Sequence, residues 1–136
     1  MSRFKSIITS SNLIFEVKPC KNVGSIVFGM SRNDVRKLFN NKFTEFSKTK
    51  SSSATVDDFS GVHVYYNTKN KVEYVEIFNG TVTYNGVTIF PGKENNLIKT
   101  LSCSFTNNIN KTYNISYEAD NGELKSIGFG GPGYYK

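Results

Sequence analysis

The chain has no tryptophan, a single histidine, two cysteines and three prolines in 136 residues. Each scarcity removes a class of explanation. A nucleophile needs a base beside it. His63 is the only imidazole and belongs to no local signature with either cysteine, so the sequence gives no support to Cys-His or Ser-His catalysis. Cys20 and Cys103 lie far apart without a C-x-x-C partner, which excludes a zinc knuckle or a thioredoxin-like motif. Two reduced, half-buried thiols are expected, with one long-range disulfide as the alternative. Arginine occurs only at Arg3, Arg32 and Arg36, so the formal charge of +6 is carried mostly by lysine, a poorer residue for bidentate phosphate or base contacts. No stretch approaches the roughly 18 apolar residues of a membrane helix. The opening residues break their apolar run at Ser6, Thr9, Ser10 and Ser11, short of a secretory h-region, and a cytoplasmic protein is expected.

What is present is the length of one domain, 1–136, with 38% hydrophobic and 14% aromatic residues and Phe and Tyr as the large core-fillers. The pattern is organised around residues 24–39. There an apolar strand through Ile26 and Phe28 breaks at Gly29 and resumes with helical spacing. Ser31 stands as an N-cap with Asp34 three residues on, Met30 and Val35 stand where a hydrophobic staple would sit, and Val35, Leu38 and Phe39 share a face. Upstream, Phe4, Ile7 and Ile8 hint at a short first element, and residues 12–17 read as an edge strand stopped by Pro19. Downstream, Phe43 and Phe46 extend the helical stripe, and residues 47–55 form a polar, mobile loop. Val62 to Tyr66 and Lys71 to Phe78 form a hairpin, and Thr81 to Tyr84 and Val87 to Phe90 form another around Asn85-Gly86. Leu97, Ile98 and Leu101 mark a short amphipathic helix from about Lys93, and residues 103–111 are irregular. A last hairpin runs from about Tyr113 to Phe129, turning at 119–122.

The two halves share a plan of strand, glycine-bearing corner, helix and hairpin, with pseudo-repeats at about 13–78 and 79–130. The fold class expected is α+β, two-layer, with one antiparallel sheet shared by two diverged strand-helix-hairpin repeats and both helices on one face.

The run Ile26-Val27-Phe28-Gly29-Met30-Ser31, followed by Asp34-Val35 and Leu38, resembles the signature of the small bacterial domains grouped with the outer-membrane assembly lipoprotein and the beta-lactamase inhibitor protein. It also resembles the opening of several cytoplasmic immunity proteins from bacterial toxin systems, in which a Pro-x-x-x-Val-Gly run, here Pro19 to Gly24, leads into the same helix. This chain departs from the lipoproteins in having no lipid-attachment cysteine near its start, and Phe39-Asn40 stands where a Gly-x-Pro often closes the helix. The resemblance implies a non-enzymatic binding protein, with a cognate bacterial toxin domain as its partner, as in contact-dependent growth inhibition and related toxin systems.

If Val62, Val64, Tyr66, Val75 and Ile77 face the helices, period-two alternation turns His63, Tyr65, Tyr74, Glu76 and Phe78 to the opposite face. These five are the expected partner-binding residues, since Tyr and Phe bury large area at low entropic cost. The opposing reading packs them under a loop or a partner strand. A second function class, a basic module for single-stranded nucleic acid, would use Tyr65, Tyr74 and Phe78 as stacking platforms beside Lys42, Lys48, Lys50, Lys69 and Lys71, with Glu73 and Glu76 counting against it. No cofactor or metal is expected. Asp57-Asp58 reads as a loop pair that caps the next strand or faces water. Residues 128–133 lack the Gly-Lys-Ser/Thr ending and following helix of a phosphate loop and read as a flexible tail.

Overall fold

The computed structural model describes residues 13–135, and the first element expected around Phe4, Ile7 and Ile8 lies outside them. The strand that opens the description, β1 (Ile14–Lys18), alternates exposed and buried residues, so that Phe15 and Val17 point into the core. After a turn at Cys20 come two short strands, β2 (Asn22–Val23), which pairs antiparallel with β1, and β3 (Ile26–Val27), which pairs antiparallel with β2.

Gly29 then adopts a positive φ of 92° and its amide donates to the Val72 carbonyl, fixing the corner from which α1 (Arg32–Leu38) begins. Ser31 is the N-cap, its hydroxyl accepting from the Asp34 amide at 3.1 Å, and Val35 and Leu38 are buried. The helix ends at Leu38. The expected continuation of its stripe through Phe43 and Phe46 is overturned, because Asn40 and Asn41 both take left-handed φ, 56° and 58°, a conformation that asparagine tolerates and that a helix cannot extend. Phe46 instead lies in β4 (Thr44–Ser47), which pairs with β5 (Thr55–Asp58). The polar loop expected over residues 47–55 is the connection of this hairpin, closed at its base by the Lys48 amide donating to the Ala54 carbonyl at 2.8 Å.

The hairpin expected next is β6 (Val62–Tyr66) and β7 (Val72–Ile77), turned by Asn67, whose side chain accepts from the Lys69 and Lys71 amides. β8 (Thr81–Tyr84) and β9 (Val87–Phe90) close around Asn85 and Gly86, both at positive φ. α2 (Glu94–Leu101) buries Leu97 and Leu101. The stretch read as irregular contains a two-residue strand, β10 (Ile109–Asn110), and β11 (Ile115–Asp120) turns at Asn121-Gly122 into β12 (Glu123–Gly130).

Among the described residues these strands form two sheets, antiparallel but for one pair, and two helices, an α+β architecture. One sheet has the order β3-β2-β1-β8-β9 and the other β10-β11-β12-β7-β6-β5-β4. The single shared sheet is thereby corrected. The chain leaves β7 at a corner through Gly80, and β8 lies parallel to β1, Ile14 beside Thr81 and Glu16 beside Thr83, instead of extending the larger sheet. Both sheets and both helices feed one core, with Phe15, Val35, Leu38, Val64, Ile77, Ile89, Leu97 and Ile127 among its members. Both cysteines are free thiols. No described helix is long and apolar enough to cross a membrane.

Leu38 is 2% exposed. Replacing it with alanine is expected to lower unfolding free energy by about 2 to 5 kcal/mol, read from the midpoint of a denaturant titration.

Candidate functional site

The larger sheet has two unlike faces. On one, Val62, Val64, Val75 and Ile77 are fully buried beneath the rest of the fold. Asp57 sits opposite Val64 in the ladder and so faces the same way. It belongs to strand β5, not to a loop, and it is 0% exposed, so the expectation of a solvated or capping carboxylate fails there. Its neighbour Asp58 does behave as a cap, accepting from the Gly61 amide at 2.8 Å.

A buried carboxylate must be paired and hydrogen-bonded. Arg36 grips Asp57 with two bonds, Nε to Oδ2 and Nη2 to Oδ1, each 2.8 Å. Arg32 Nη2 reaches Oδ1 at 3.0 Å and the Tyr66 hydroxyl donates to Oδ2 at 2.9 Å. Glu45 completes the cluster, accepting from Arg36 at 3.2 Å and from the Thr55 hydroxyl at 2.6 Å. The guanidinium of Arg32 lies 4.4 Å from the Tyr66 ring centroid and that of Arg36 lies 3.9 Å from that of Phe43. Burial pushes the Asp57 carboxyl up, but the bonds from Arg36, Arg32 and Tyr66 together outweigh it and hold it below its ordinary value. The same bond to Asp57 raises Arg36, and Thr55, with the two arginines, lowers Glu45. Two carboxylates, Asp57 buried and Glu45 partly exposed, face two guanidiniums. The arrangement is a clamp between α1 and β4, β5 and β6.

The other face carries the five residues singled out in the sequence. Register puts His63 beside Glu76 and Tyr65 beside Tyr74, and Phe78 follows on the same side, its ring centroid 4.7 Å from that of His63. The face divides in two. On one half, Tyr74 is only 9% exposed, and its hydroxyl shares a 2.6 Å bond with Ser116 Oγ. It crosses Gly128, where an added Cβ would stand 1.8 Å from the phenol oxygen. The tail covers it. Gly131 is held through its amide by the Glu73 carbonyl and through its carbonyl by Asn114 Nδ2 at 2.7 Å, and the chain folds back so that Tyr134 stacks on Tyr74 at 4.8 Å. The flexible tail is therefore corrected to a strap, and Tyr74 to a residue packed beneath it. Tyr65 flanks this cluster edge-on, 5.4 Å from Tyr74.

The other half is open. Phe78 is 43% exposed and Phe46 39% exposed, and His63 bridges them, with Phe46 edge-on at 5.1 Å. Asp58 Oδ1 lies 3.5 Å from His63 Nε2, and Ser126 Oγ donates to Glu76 at 2.9 Å. Burial pushes the Glu76 carboxyl above its ordinary value, with Glu118 adding to the shift and Ser126 and His63 opposing it. Phe46 is the member that sequence reasoning missed. The turn-forming Asn40-Asn41 pair just before it was the available signal. Among the described residues no group of three His, Cys, Asp or Glu side chains is placed to hold a metal ion.

Comparison with protein-family models, with curated proteins and with solved structures finds no match for this chain.

Asp57→Asn leaves two guanidiniums short of their counter-charge and should cost about 3 to 5 kcal/mol of stability. The Asp57 carboxyl is depressed in the folded state. Its contribution is therefore complete above the ordinary aspartate range and drains away as pH falls below about 4. Denaturant midpoints from neutral to acid pH should show a larger loss in wild type than in the Asp57→Asn variant, which keeps the contribution of the depressed Glu45. Glu76 has the opposite sign: its raised value means that ionisation weakens the fold as pH climbs, so Glu76→Gln should unfold at a higher temperature than wild type at neutral pH and lose that advantage in acid.

Proposed function

We propose that this chain is a non-enzymatic immunity protein of the cytoplasm, binding and neutralising a cognate bacterial toxin domain through the open half of the larger sheet. The observation that carries this reading is the pair of exposed phenylalanines Phe46 and Phe78, joined by the half-buried ring of His63, on a sheet whose other face packs Val62, Val64, Val75 and Ile77 into the core. Rigid aromatics on a strand scaffold make binding anchors, and the flanking Asp58 and Glu76 supply a polar rim. The resemblance of residues 19–38 to the immunity proteins points the same way. The chain's +6 charge directs the partner choice toward an acidic protein surface. The internal repeat belongs to this reading too: β7 and β12, the last strands of the two units, pair antiparallel at the middle of the larger sheet.

The nucleic-acid reading has one contact in its favour, Lys48 Nζ lying 5.9 Å from the Tyr65 ring. Against it, Tyr74 is stacked under Tyr134 and Glu76 and Asp58 lie within the same face.

Phe46→Ala and Phe78→Ala should leave the unfolding midpoint within about 0.5 kcal/mol of wild type. Each should weaken binding to the toxin domain encoded beside this gene by about 1 to 4 kcal/mol, measured by calorimetry, and abolish protection of cells expressing that toxin. No binding to that domain and no protection by the wild-type chain would refute the reading. A single-stranded oligonucleotide that binds tightly and weakens steeply with added salt would replace it with the nucleic-acid one.

A further inference from the structure

Strand β4 is the outer strand of the larger sheet, and all four of its residues are exposed. It pairs with β5 in unbroken register, from Thr44 beside Asp58 to Ser47 beside Thr55. The Lys48 amide bonds to Ala54, which sets the phase of the ladder: residues 44, 46 and 48 bond inward, and the N–H and C=O groups of Glu45 and Ser47 turn outward. Sheet edges are normally blunted by proline, a bulge or a charge on the strand, because such groups template the addition of another chain. β4 carries no proline and no bulge. Its one charged side chain, Glu45, is drawn onto the α1 side by Arg36, Arg32 and Thr55 and leaves the edge clear. Phe46 projects to the opposite side, where it joins the open aromatic row.

We propose that β4 is a docking edge that receives an extended segment of the toxin domain as an added strand, an inference that rests on the protein-binding reading above. The incoming strand would align an apolar side chain with Phe46, continuing the row through His63 to Phe78. It would carry acidic residues at its ends, because Lys42 and Lys50 stand exposed just before and after β4, whereas Lys48 lies 3.7 Å from Glu73. Charge also disfavours a second copy of this chain as the occupant. Antiparallel pairing of β4 with itself brings Lys42 of one copy beside Lys48 and Lys50 of the other, a like-charge contact across adjacent strands.

The probe is a short synthetic peptide of alternating valine and threonine with aspartates at both ends, titrated into the isotope-labelled full chain. Protection of the Glu45 and Ser47 amides from solvent exchange is expected, with an affinity that falls as salt is raised. Ser47→Pro removes an N–H that bonds to nothing within the sheet, so the folded spectrum should persist while the peptide binds about tenfold more weakly. Lys50→Glu, an exposed change with no bearing on folding, should weaken the aspartate-flanked peptide and favour a lysine-flanked one. Unchanged affinity in both variants, or protection confined to residues outside β4, would overturn the proposal, as would protection of β4 by self-association in the absence of peptide. Should the strand fail these tests while Phe78→Ala still weakens binding of the toxin domain, the docking edge falls and the protein-binding reading stands.

Discussion

The carboxylate of Asp57 is the constraint on which the rest of the larger sheet depends. A charge removed from water is tolerated only where partners replace its hydration, and here two arginines one helical turn apart and a tyrosine do so. Because Arg32 and Arg36 are spaced i and i+4, both reach Asp57 only if one face of α1 lies directly over β5. The clamp thus decides more than its own energy. It sets the rotation of α1, which in turn aims Val35 and Leu38 into the core. Both arginines among the described residues, a scarce type in this chain, serve this one place.

That far side is shaped by what is missing from it. Gly128 and Gly130 lie on β12 across from Glu76 and Tyr74, and side chains there would collide with Tyr74 and Tyr134. The bare backbone is a mould for tyrosine rings, and the returning tail fills it. Cover stops at Tyr65, and from there to Phe46 the sheet meets solvent. One surface therefore contains both answers to the ambiguity in its alternation: half is packed under a neighbouring segment and half is free to contact another molecule.

Local chemistry in the sequence was legible where one short segment decides the outcome. The Ser31 cap, the Asn85-Gly86 turn, the β6–β7 hairpin and the direction of its side chains follow from spacing alone, and the structure agrees. What was not legible depends on residues distant in the chain. A strand of sequence Thr-Glu-Phe-Ser has little intrinsic signature, and β4 exists because β5 offers it a ladder. Asp57 could not be read as buried without knowing that α1 would bring two arginines to it. The strap could not be read from a glycine-rich tail, since its anchor points, Glu73 and Asn114, are remote. The same holds for the second sheet, whose parallel seam joins residues more than sixty positions apart.

That seam has a consequence for the order of events during synthesis. β1 leaves the ribosome well before β8, the neighbour that pairs with it along Ile14, Phe15 and Glu16, and at typical elongation rates of about 5 to 20 residues per second it waits several seconds for it. Until then the described strand paired with β1 is the two-residue β2, and the burial of Phe15 and Val17 is incomplete. The larger sheet closes partly by hairpins, β4 with β5 and β6 with β7, whose loop-closure entropy is small, whereas the smaller sheet closes a long loop. The strands that carry Phe46, His63 and Phe78 are all synthesised before β8 and β9, which complete the layer joining Ile14–Glu16 to Thr81–Thr83.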